Sequence, residues 1–342
     1  MTEKTFVTGG SGHLGANLVR ALLARGESVR CLVHPDHNNA GLDGLDVERV
    51  EGDVRDLEQM RQAVAGCTRA YHVAAKVSTL GGTDAEKRDL YETNVLGTRH
   101  VLRAAREAGL KRVVFTGSLS AVGFDPNDTQ HPSDETVPFY PFTRHMPYGY
   151  TKMLSEMECL KAVAEGLDVV MAISTGIMGP NDFLPSRLGR TLCDFSNGKL
   201  RGYIPGGFEF VTSHDIVQGH LLAMDKGKTG QKYIVSTGFM TLDDMLDHFS
   251  RVAGRKKPMR MPVGVMRPLA HATTWFKRTF MPGAPHRFTP MAVHLLQTRR
   301  HADTSRAQTE FGFEPSDMGE AVQDAYDFFV SQGAIQPPRG AA

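Results

Sequence analysis

The chain of 342 residues is about twice the length of a typical domain, and its 41% hydrophobic and 23% charged residues are the proportions of a folded globular protein. Its 39 Lys and Arg against 38 Asp and Glu leave a net charge of +1, without the basic excess typical of nucleic-acid binding. No uncharged stretch reaches the about 20 apolar residues of a membrane-spanning helix, and the chain opens without an apolar leader. The sequence predicts a cytoplasmic protein with no membrane span and no nucleic-acid partner.

The cysteines and histidines predict neither a disulfide framework nor a metal site. The 14 histidines include no HExxH or similar ligand spacing. The cysteines are too widely separated for a CxxC pair and are predicted to be reduced, mostly buried thiols: Cys31, Cys67, Cys159 and Cys193.

Strand-like and helical segments alternate along the chain. Strands are predicted at residues 5–7, 29–33, 47–50, 69–73, 113–115, 169–173 and 232–235. Helices are predicted from 14 to about 26, and at 57–65, 85–108, 148–165 and 215–224. Strands that alternate with helices of this length predict a doubly wound α/β fold around a parallel sheet.

A glycine cluster separates the first strand from the first helix. The segment Thr8-Gly9-Gly10-Ser11-Gly12-His13-Leu14-Gly15 repeats glycine at intervals of three. Such a turn lets the backbone approach a pyrophosphate, which the amino terminus of the helix then stabilises. We predict nucleotide binding by Gly9, Gly12, His13, Leu14 and Gly15.

The GxxGxxG spacing resembles that of the extended branch of the short-chain dehydrogenase/reductase superfamily, which includes the NAD-dependent epimerases and dehydratases. Asp53 and Val54 lie in a segment similar to the one that meets the adenine, and Ala74 and Ala75 in one similar to the turn that passes the ribose. Residues 94–98, 303–307 and 311–315 resemble the branch's central and closing motifs. The resemblance covers nearly the whole chain and implies a Rossmann fold that binds a nicotinamide cofactor.

The regular alternation breaks after Gly176. Residues 177–212 and 258–301 are rich in Gly, Pro and aromatic residues. We predict a dinucleotide-binding domain from residues 1–176 and 213–257. Residues 177–212 and 258–334 are predicted to form a smaller irregular substrate-binding lobe, with C-terminal helices, over the carboxyl edge of the sheet.

The end of the second strand favours NADP(H) over NAD(H). NAD-selective members carry an acid there to bind the ribose diol, and this chain has Val33. The next residue is His34, where NADP-selective relatives often carry arginine. A histidine can donate to a 2′-phosphate.

Tyr148 and Lys152 form a YxxxK pair on one face of a predicted helix. A neighbouring ammonium favours the ionised phenol, so Tyr148 can act as general acid toward a carbonyl oxygen or as base toward an alcohol. The resemblance implies that Lys152 also holds the nicotinamide ribose. It further implies that Ser118, at the end of the fifth strand, orients the substrate oxygen, with Ser120 as the alternative.

Three more residues near this pair carry expectations. Tyr150 lies only two positions before Lys152, so it is predicted to face away and to pack. Asn94 is interpreted either as a polar contact within its helix or as part of a bound-water proton relay. Thr175 corresponds to a segment that lies beside the nicotinamide amide in the family, although the usual proline is missing here.

Two departures from the family's pattern bear on the substrate. Nucleotide-sugar enzymes carry an arginine for the diphosphate where this chain has Phe208, and an asparagine where it has Gly176. Arg187 and Arg190 could meet an anionic group but are expected to be solvated. The lobe is instead rich in apolar side chains: Phe183, Leu184, Leu188, Phe195, Tyr203, Phe208, Phe210 and Trp275.

The pattern is similar to that of 3β-hydroxysteroid dehydrogenases and dihydroflavonol reductases. We predict reversible hydride transfer between nicotinamide C4 and a secondary alcohol or ketone on a bulky, largely apolar small molecule. The alternatives are a nucleotide-sugar epimerase or dehydratase and a non-catalytic NAD(P)-sensing regulator. Sensors of this type typically lose the Tyr-Lys pair, which is present here.

A homodimer is also predicted. Tyr91, Val95, Thr98, Leu102 and Ala105 form a partly apolar stripe at helical spacing. Family members commonly pair this helix and the YxxxK helix across a two-fold axis. The alternative is that the stripe only packs on the sheet.

Overall fold

The computed structural model describes residues 3–78, 83–125, 131–137, 146–262 and 296–337. Its centre is a seven-stranded sheet in the order β10-β6-β5-β4-β1-β2-β3, in which every pairing is parallel. The strands are β1 Lys4–Thr8, β2 Ser28–Val33, β3 Glu48–Glu51, β4 Arg69–His72, β5 Arg112–Ser118, β6 Val169–Ser174 and β10 Lys232–Val235. The predicted doubly wound α/β fold is confirmed.

Helices cover both faces of this sheet because successive strand residues point to opposite sides. Phe6 and Val113 lie in one hydrophobic cluster, and their chain neighbours Val7 and Val114 lie in the other. The helices of the central sheet are α1 His13–Ala24, α2 Leu57–Val64, α3 Asp84–Tyr91, α4 Gly97–Glu107, α5 Pro147–Ala164 and α7 Ser213–Lys226.

The long helix predicted over 85–108 is present with an interruption. A π-helical turn, Glu92–Leu96, joins α3 to α4. Turns of this kind widen the helix by one residue and often occur at functional sites. It places Asn94, a buried side chain, against α5.

Regular elements lie within the two stretches predicted to be irregular and in the residues that follow each of them. A second sheet has the order β11-β9-β7, and β8 pairs with β12 in a two-stranded sheet. The strands are β7 Gly176–Met178, β8 Gly202–Tyr203, β9 Gly207–Thr212, β11 Gly238–Thr241 and β12 Met259–Arg260; the helices are α6 Arg187–Ser196, α8 Leu242–Ala253, α9 Ser305–Phe311 and α10 Met318–Ser331.

A third hydrophobic cluster joins α6, α8 and α10. Since β11 pairs with β9, and α8 packs in this cluster, we propose that residues 238–253 belong to the second lobe rather than to the sheet domain. Ala307 and Phe311 of α9 lie in a hydrophobic cluster of the central sheet. We therefore propose that α9 belongs to the sheet domain. Trp275 lies outside the described residues.

Two expectations about exposed surface are wrong. Val95, Thr98, Leu102 and Ala105 of the proposed dimer stripe are at most 2% exposed, because they pack within the chain. Tyr150, predicted to pack, is 43% exposed. These four stripe residues therefore pack in the core, and the phenol ring of Tyr150 is exposed on the surface.

The cysteine prediction is confirmed, since all four thiols are free and three of them are buried. Within the described part of the chain, no helix is both long and apolar enough to cross a bilayer.

Candidate active site

The glycine turn is held tightly between β1, β4 and α1. Gly9 adopts a φ of +72°, and a Cβ there would lie 2.6 Å from the backbone nitrogen of Ala74. A Cβ on Gly15 would collide with the carbonyl oxygen of Gly9. Gly12 differs, because the nearest neighbour of its Cβ would be Gly9 O at 3.4 Å, an ordinary contact. Gly9 and Gly15 thus shape the turn, and Gly12 leaves space beside it.

The amino terminus of α1 is suited to an anion. Its N-cap is Gly12, no side chain caps it, and no acidic residue lies in its first turn. The helix dipole and free amide groups at such an end stabilise phosphate. This open helix end beside a turn closed to side chains fits the pyrophosphate of a dinucleotide.

His13 follows this cap and contacts the start of the second lobe. Its Nε2 lies 3.1 Å from the carbonyl oxygen of Pro180, and its Nδ1 lies 4.0 Å from Asp182. Burial lowers the pKa of His13 below its ordinary value, although Asp182 acts in the opposite direction. His13 therefore links the turn to the lobe, while the following residue, Leu14, is buried in the core.

The predicted adenosine end gathers charged side chains. His34 Nε2 lies 3.4 Å from Asp53 Oδ2, and the His34 ring stacks on His37 with centroids 4.3 Å apart. Arg55, which the sequence reasoning missed, donates from Nε to Asp53 Oδ2 at 2.8 Å. Burial alone would raise the pKa of Asp53, but the Arg55 hydrogen bonds outweigh it and lower the value.

The structure brings Ser118 and Tyr148 together. Ser118 ends β5 and Tyr148 lies in the first turn of α5. Burial raises the pKa of the Tyr148 phenol, and its hydrogen bond with Ser118 acts in the opposite direction. Ser120 is next to this pair, because its Oγ lies 2.8 Å from Ser118 Oγ. The Ser118 hydroxyl is therefore held by two neighbours.

Lys152 is only 3% exposed and points back toward the sheet. Its Nζ donates to the carbonyl oxygen of Thr116 at 2.5 Å and lies 4.3 Å from the centre of the Phe115 ring. Burial lowers the pKa of Lys152 to about 8, against the effects of Cys159 and Glu156. The expected depression of the Tyr148 pKa by this ammonium is absent here, since burial dominates.

Thr116 is itself fixed by a second buried side chain, His220 of α7. Thr116 Oγ1 lies 2.8 Å from His220 Nε2, and His220 Nδ1 lies 2.7 Å from the carbonyl oxygen of Ile216. Burial lowers the pKa of His220 to about 4. Lys152 therefore rests on a strand residue that is itself supported from the opposite sheet face.

Thr175 follows β6 and has a buried Oγ1 without a partner among the described residues. An unpartnered buried hydroxyl costs stability unless something binds it. Next to it, a Cβ on Gly176 would lie 2.9 Å from the Phe208 ring and 3.5 Å from Leu188. Apolar groups therefore surround the position beyond Thr175.

The other lobe residues divide by burial. Phe195, Tyr203 and Phe210 are core residues in the third cluster, whereas Leu184 is 50% exposed. Phe183, Leu188 and Phe208 are half-buried. Arg187 and Arg190 are exposed, as the solvated interpretation expected.

Arg300 is a half-buried residue that no motif in the sequence predicts. Its guanidinium donates to the carbonyl oxygens of Leu119, Val122 and Gly123 at 2.7, 3.0 and 2.8 Å. Its Nε donates to Ser133 Oγ at 2.9 Å. Arg300 therefore fastens the loop that follows Ser118, and no short sequence motif signals a contact across this distance.

The chain is similar to several known proteins. Residues 5–236 match the NAD dependent epimerase/dehydratase family. The chain is 40% identical over 332 residues to "Sterol demethylase protein B" of Methylococcus capsulatus, covering 97% of this chain and 99% of that protein. It is 32% identical over 342 residues to a "Putative dihydroflavonol 4-reductase" of Synechocystis, covering 98% and 97%. The crystal structure of gox2253 aligns with a TM-score of 0.84 at 28% identity, covering 98% of this chain and 100% of that chain.

Proposed function

Because this chain belongs to the NAD-dependent epimerase/dehydratase family, we propose that it is an NAD(P)-dependent oxidoreductase that interconverts a ketone and a secondary alcohol on a bulky, largely apolar substrate. The observation that carries the proposal is the pairing of Ser118 with Tyr148, one helical turn from the buried Lys152. These groups lie at the carboxyl end of the same parallel sheet as the glycine turn, where α/β folds bind their ligands.

The residues present fit a dinucleotide. Gly9, Gly12, Leu14 and Gly15 would surround its pyrophosphate at the amino terminus of α1. Asp53 and Val54 would lie at the adenine, and Ala74 and Ala75 along the ribose. Lys152 and Thr175 would hold the nicotinamide half, where the unpartnered Thr175 hydroxyl gains a hydrogen bond. A bound nicotinamide supplies or accepts the hydride.

The protein's own side chains then transfer the proton to or from the substrate oxygen. In ketone reduction the Tyr148 hydroxyl donates its proton to the carbonyl oxygen, and in alcohol oxidation the phenolate takes it back. Ser118 donates a hydrogen bond to the same oxygen and stabilises its developing charge. Lys152 favours the ionised phenol when its ammonium turns toward Tyr148.

We propose that NADP(H) is preferred. His34, His37 and Arg55 place three cationic or potentially cationic groups beside Asp53, whose carboxylate Arg55 already neutralises in part. A 2′-phosphate would find hydrogen-bond donors there, beside an acid that already pairs with Arg55.

The substrate side favours an apolar molecule. Gly176, Leu188 and Phe208 meet beside Thr175, and the Phe208 ring packs at a tilt against Phe210 with centroids 4.0 Å apart. The name of the Methylococcus relative refers to a sterol, a molecule of this apolar class. Sterol-sized ketones are therefore the first substrates to test.

A nucleotide-sugar epimerase or dehydratase is the competing function within the family. Its diphosphate would need a cation beside the substrate. Arg300 gives its guanidinium to backbone carbonyls, and Arg187 and Arg190 are exposed on the surface. Among the residues that the structure describes, these positions favour an oxidoreductase of apolar substrates. A non-catalytic sensor would have no catalytic role for the Ser118–Tyr148 pair, so this pair disfavours the sensor.

The test is cofactor consumption by the purified protein. We expect NADPH absorbance at 340 nm to fall when a 3-ketosteroid or a similar apolar ketone is added, and UDP-glucose or dTDP-glucose to remain unchanged. Conversion of a nucleotide sugar without net cofactor use would establish the epimerase instead. Cofactor binding with no turnover on either panel would favour the sensor.

A further inference from the structure

His72, at the carboxyl end of β4, is a buried side chain that the mechanism above does not use. It is 1% exposed and touches two threonine hydroxyls. Its Nδ1 lies 2.7 Å from Thr8 Oγ1, and its Nε2 lies 3.0 Å from Thr98 Oγ1. Thr8 immediately precedes the glycine turn, and Thr98 lies in α4.

The hydrogen-bond partners assign the direction of these contacts. Thr98 Oγ1 donates its single proton to the carbonyl oxygen of Asn94 at 2.5 Å, so it must accept from His72 Nε2–H. His72 Nδ1 then accepts from the Thr8 hydroxyl, whose oxygen accepts from the Ala74 amide at 3.2 Å. Burial and the nearby Lys152 lower the pKa of His72 to about 3, so the neutral ring that this pattern requires is the stable form.

The chain of hydrogen bonds continues from Asn94 to the catalytic helix. Asn94 Nδ2 donates to Thr151 Oγ1 at 3.0 Å, and Thr151 Oγ1 donates to the carbonyl oxygen of Tyr148 at 2.9 Å. The Ser155 hydroxyl also donates to Asn94 O at 2.8 Å. Thr151 directly precedes Lys152, so Asn94 is bonded to the turn of α5 that carries both members of the YxxxK pair.

We propose that His72 is a positioning residue, which holds the first turn of α5 in register with the cofactor-binding turn through Thr8, Thr98 and Asn94. His72 touches neither reacting atoms nor cofactor in this proposal. It sets the place of Tyr148 and Lys152 relative to Gly9 and Ala74. The inference rests on the catalytic roles given to that pair above.

Each link from Thr8 to Thr151 is specific, because the three threonine hydroxyls and both ring nitrogens of His72 have one proton assignment each. An imidazole serves here since it accepts on one side and donates on the other across a sheet-to-helix gap. Loss of one link leaves a buried polar group unsatisfied and frees the next group to move. A shift of about 1 Å in a catalytic group can reduce the rate about a hundredfold.

The first test is Thr98→Val, which keeps the side-chain shape and removes the hydroxyl. We expect kcat for ketone reduction to fall at least about tenfold, while substrate KM and the dissociation constant of NADPH change less than about threefold. Thr98→Ser restores the hydroxyl and should restore kcat. His72→Leu should reduce kcat similarly, and the double variant should be no slower than the slower single variant.

Thr5→Val is the matched control. Thr5 is equally buried in β1, and its hydroxyl donates to Glu27 at 2.8 Å, at the opposite end of the strand from the site. We expect it to lower the melting temperature and leave kcat unchanged. Parental kcat in Thr98→Val, multiplied effects in the double variant, or an equal kcat loss in Thr5→Val would each overturn the proposal.

A second measurement does not depend on turnover. In the parent, NADPH should slow amide hydrogen exchange both in the glycine turn and in the first turn of α5. In Thr98→Val and His72→Leu, NADPH should still protect the glycine turn but should no longer protect the first turn of α5. If both variants keep both protections, the positioning role is wrong. If the parent reduces no ketone but this pattern is observed, the proposed function fails and the positioning role stands.

Discussion

The Tyr148 hydroxyl is the single group on which the proposed proton transfer depends. Tyr148→Phe removes only this hydroxyl, so the fold and NADPH affinity should change little. Turnover should fall by about a hundredfold to ten-thousandfold, the usual contribution of a positioned acid. Steady-state kinetics beside a fluorescence titration of NADPH measures both effects. A phenylalanine variant that reduces ketones at the parental rate would remove Tyr148 from the mechanism.

The charge of Lys152 should make cofactor binding depend on pH. Its pKa is lowered to about 8, so the ammonium is present below this pH and is lost as the pH rises through it. If the ammonium binds the ribose, NADPH affinity should decline as the pH rises above about 8. Isothermal titration between pH 6 and 9.5 measures this profile. In Lys152→Met the affinity should be lower and should show no decline above about pH 8.

His34 should contribute to the choice between NADPH and NADH. His34→Glu places an acid beside the proposed 2′-phosphate, so NADPH affinity should fall at least about tenfold while NADH affinity stays the same or rises. His34→Arg should strengthen NADPH binding. Val33 is unsuitable for this change, because its side chain lies in the core at 7% exposure. Equal effects of the glutamate on both cofactors would place the phosphate elsewhere.

At single positions the sequence predicts best where a residue type has a local purpose. Gly15 is required by a contact within its own turn and Gly9 by its positive φ, and Ser118 and Tyr148 are predicted from their places in a short motif. Arg300 and His72 were not selected, because their partners lie far away in the chain. Arg300 reaches Leu119 across 181 positions and His72 reaches Thr8 across 64.

Among the elements, the glycine turn and α1 allow a matched comparison. Gly15→Ala forces a Cβ against the Gly9 carbonyl, so it should lower the melting temperature by several degrees. Gly12→Ala meets only an ordinary contact at 3.4 Å and has a φ of −75° that alanine tolerates, so the fold should keep its stability. The methyl group would nevertheless occupy the space proposed for the pyrophosphate. Calorimetry measures the stability of both variants, and titration measures their NADPH affinity. Strong NADPH binding by Gly12→Ala would contradict the proposed position of the pyrophosphate.

Element prediction succeeded where hydrophobic periodicity is strong. The strand at Lys232–Val235 was predicted with its exact bounds. The π-helical turn was missed, because one additional residue per turn leaves the apolar pattern of the helix nearly unchanged. The strand β11 was missed because its pairing with β9 brings together residues that are about 30 positions apart.

For the whole molecule, the homodimer remains a prediction, but the buried stripe on α4 cannot form its interface and another surface must. On α5 and the end of α3 the exposed large apolar residues are Tyr91, Tyr150, Met157 and Leu160, each 39 to 44% exposed. Contiguous exposed apolar residues favour association. We expect a dimer mass by light scattering at micromolar concentration, and a monomer mass for Leu160→Glu. Leu184→Glu, on the other lobe, should keep the dimer mass, and a monomeric parent would exclude this interface.

The hydrogen bonds between Arg300 and the loop after Ser118 have a consequence for biosynthesis. A ribosome releases the glycine turn, β5 and α5 long before residue 300, and domains generally fold from the amino terminus as they emerge. A nascent chain can therefore complete its nucleotide pocket while the loop after Ser118 still lacks its arginine and the strand-like contact between Ser133 and Ala302. Under the proposed function, a translation product that stops before residue 300 should therefore bind cofactor without consuming it.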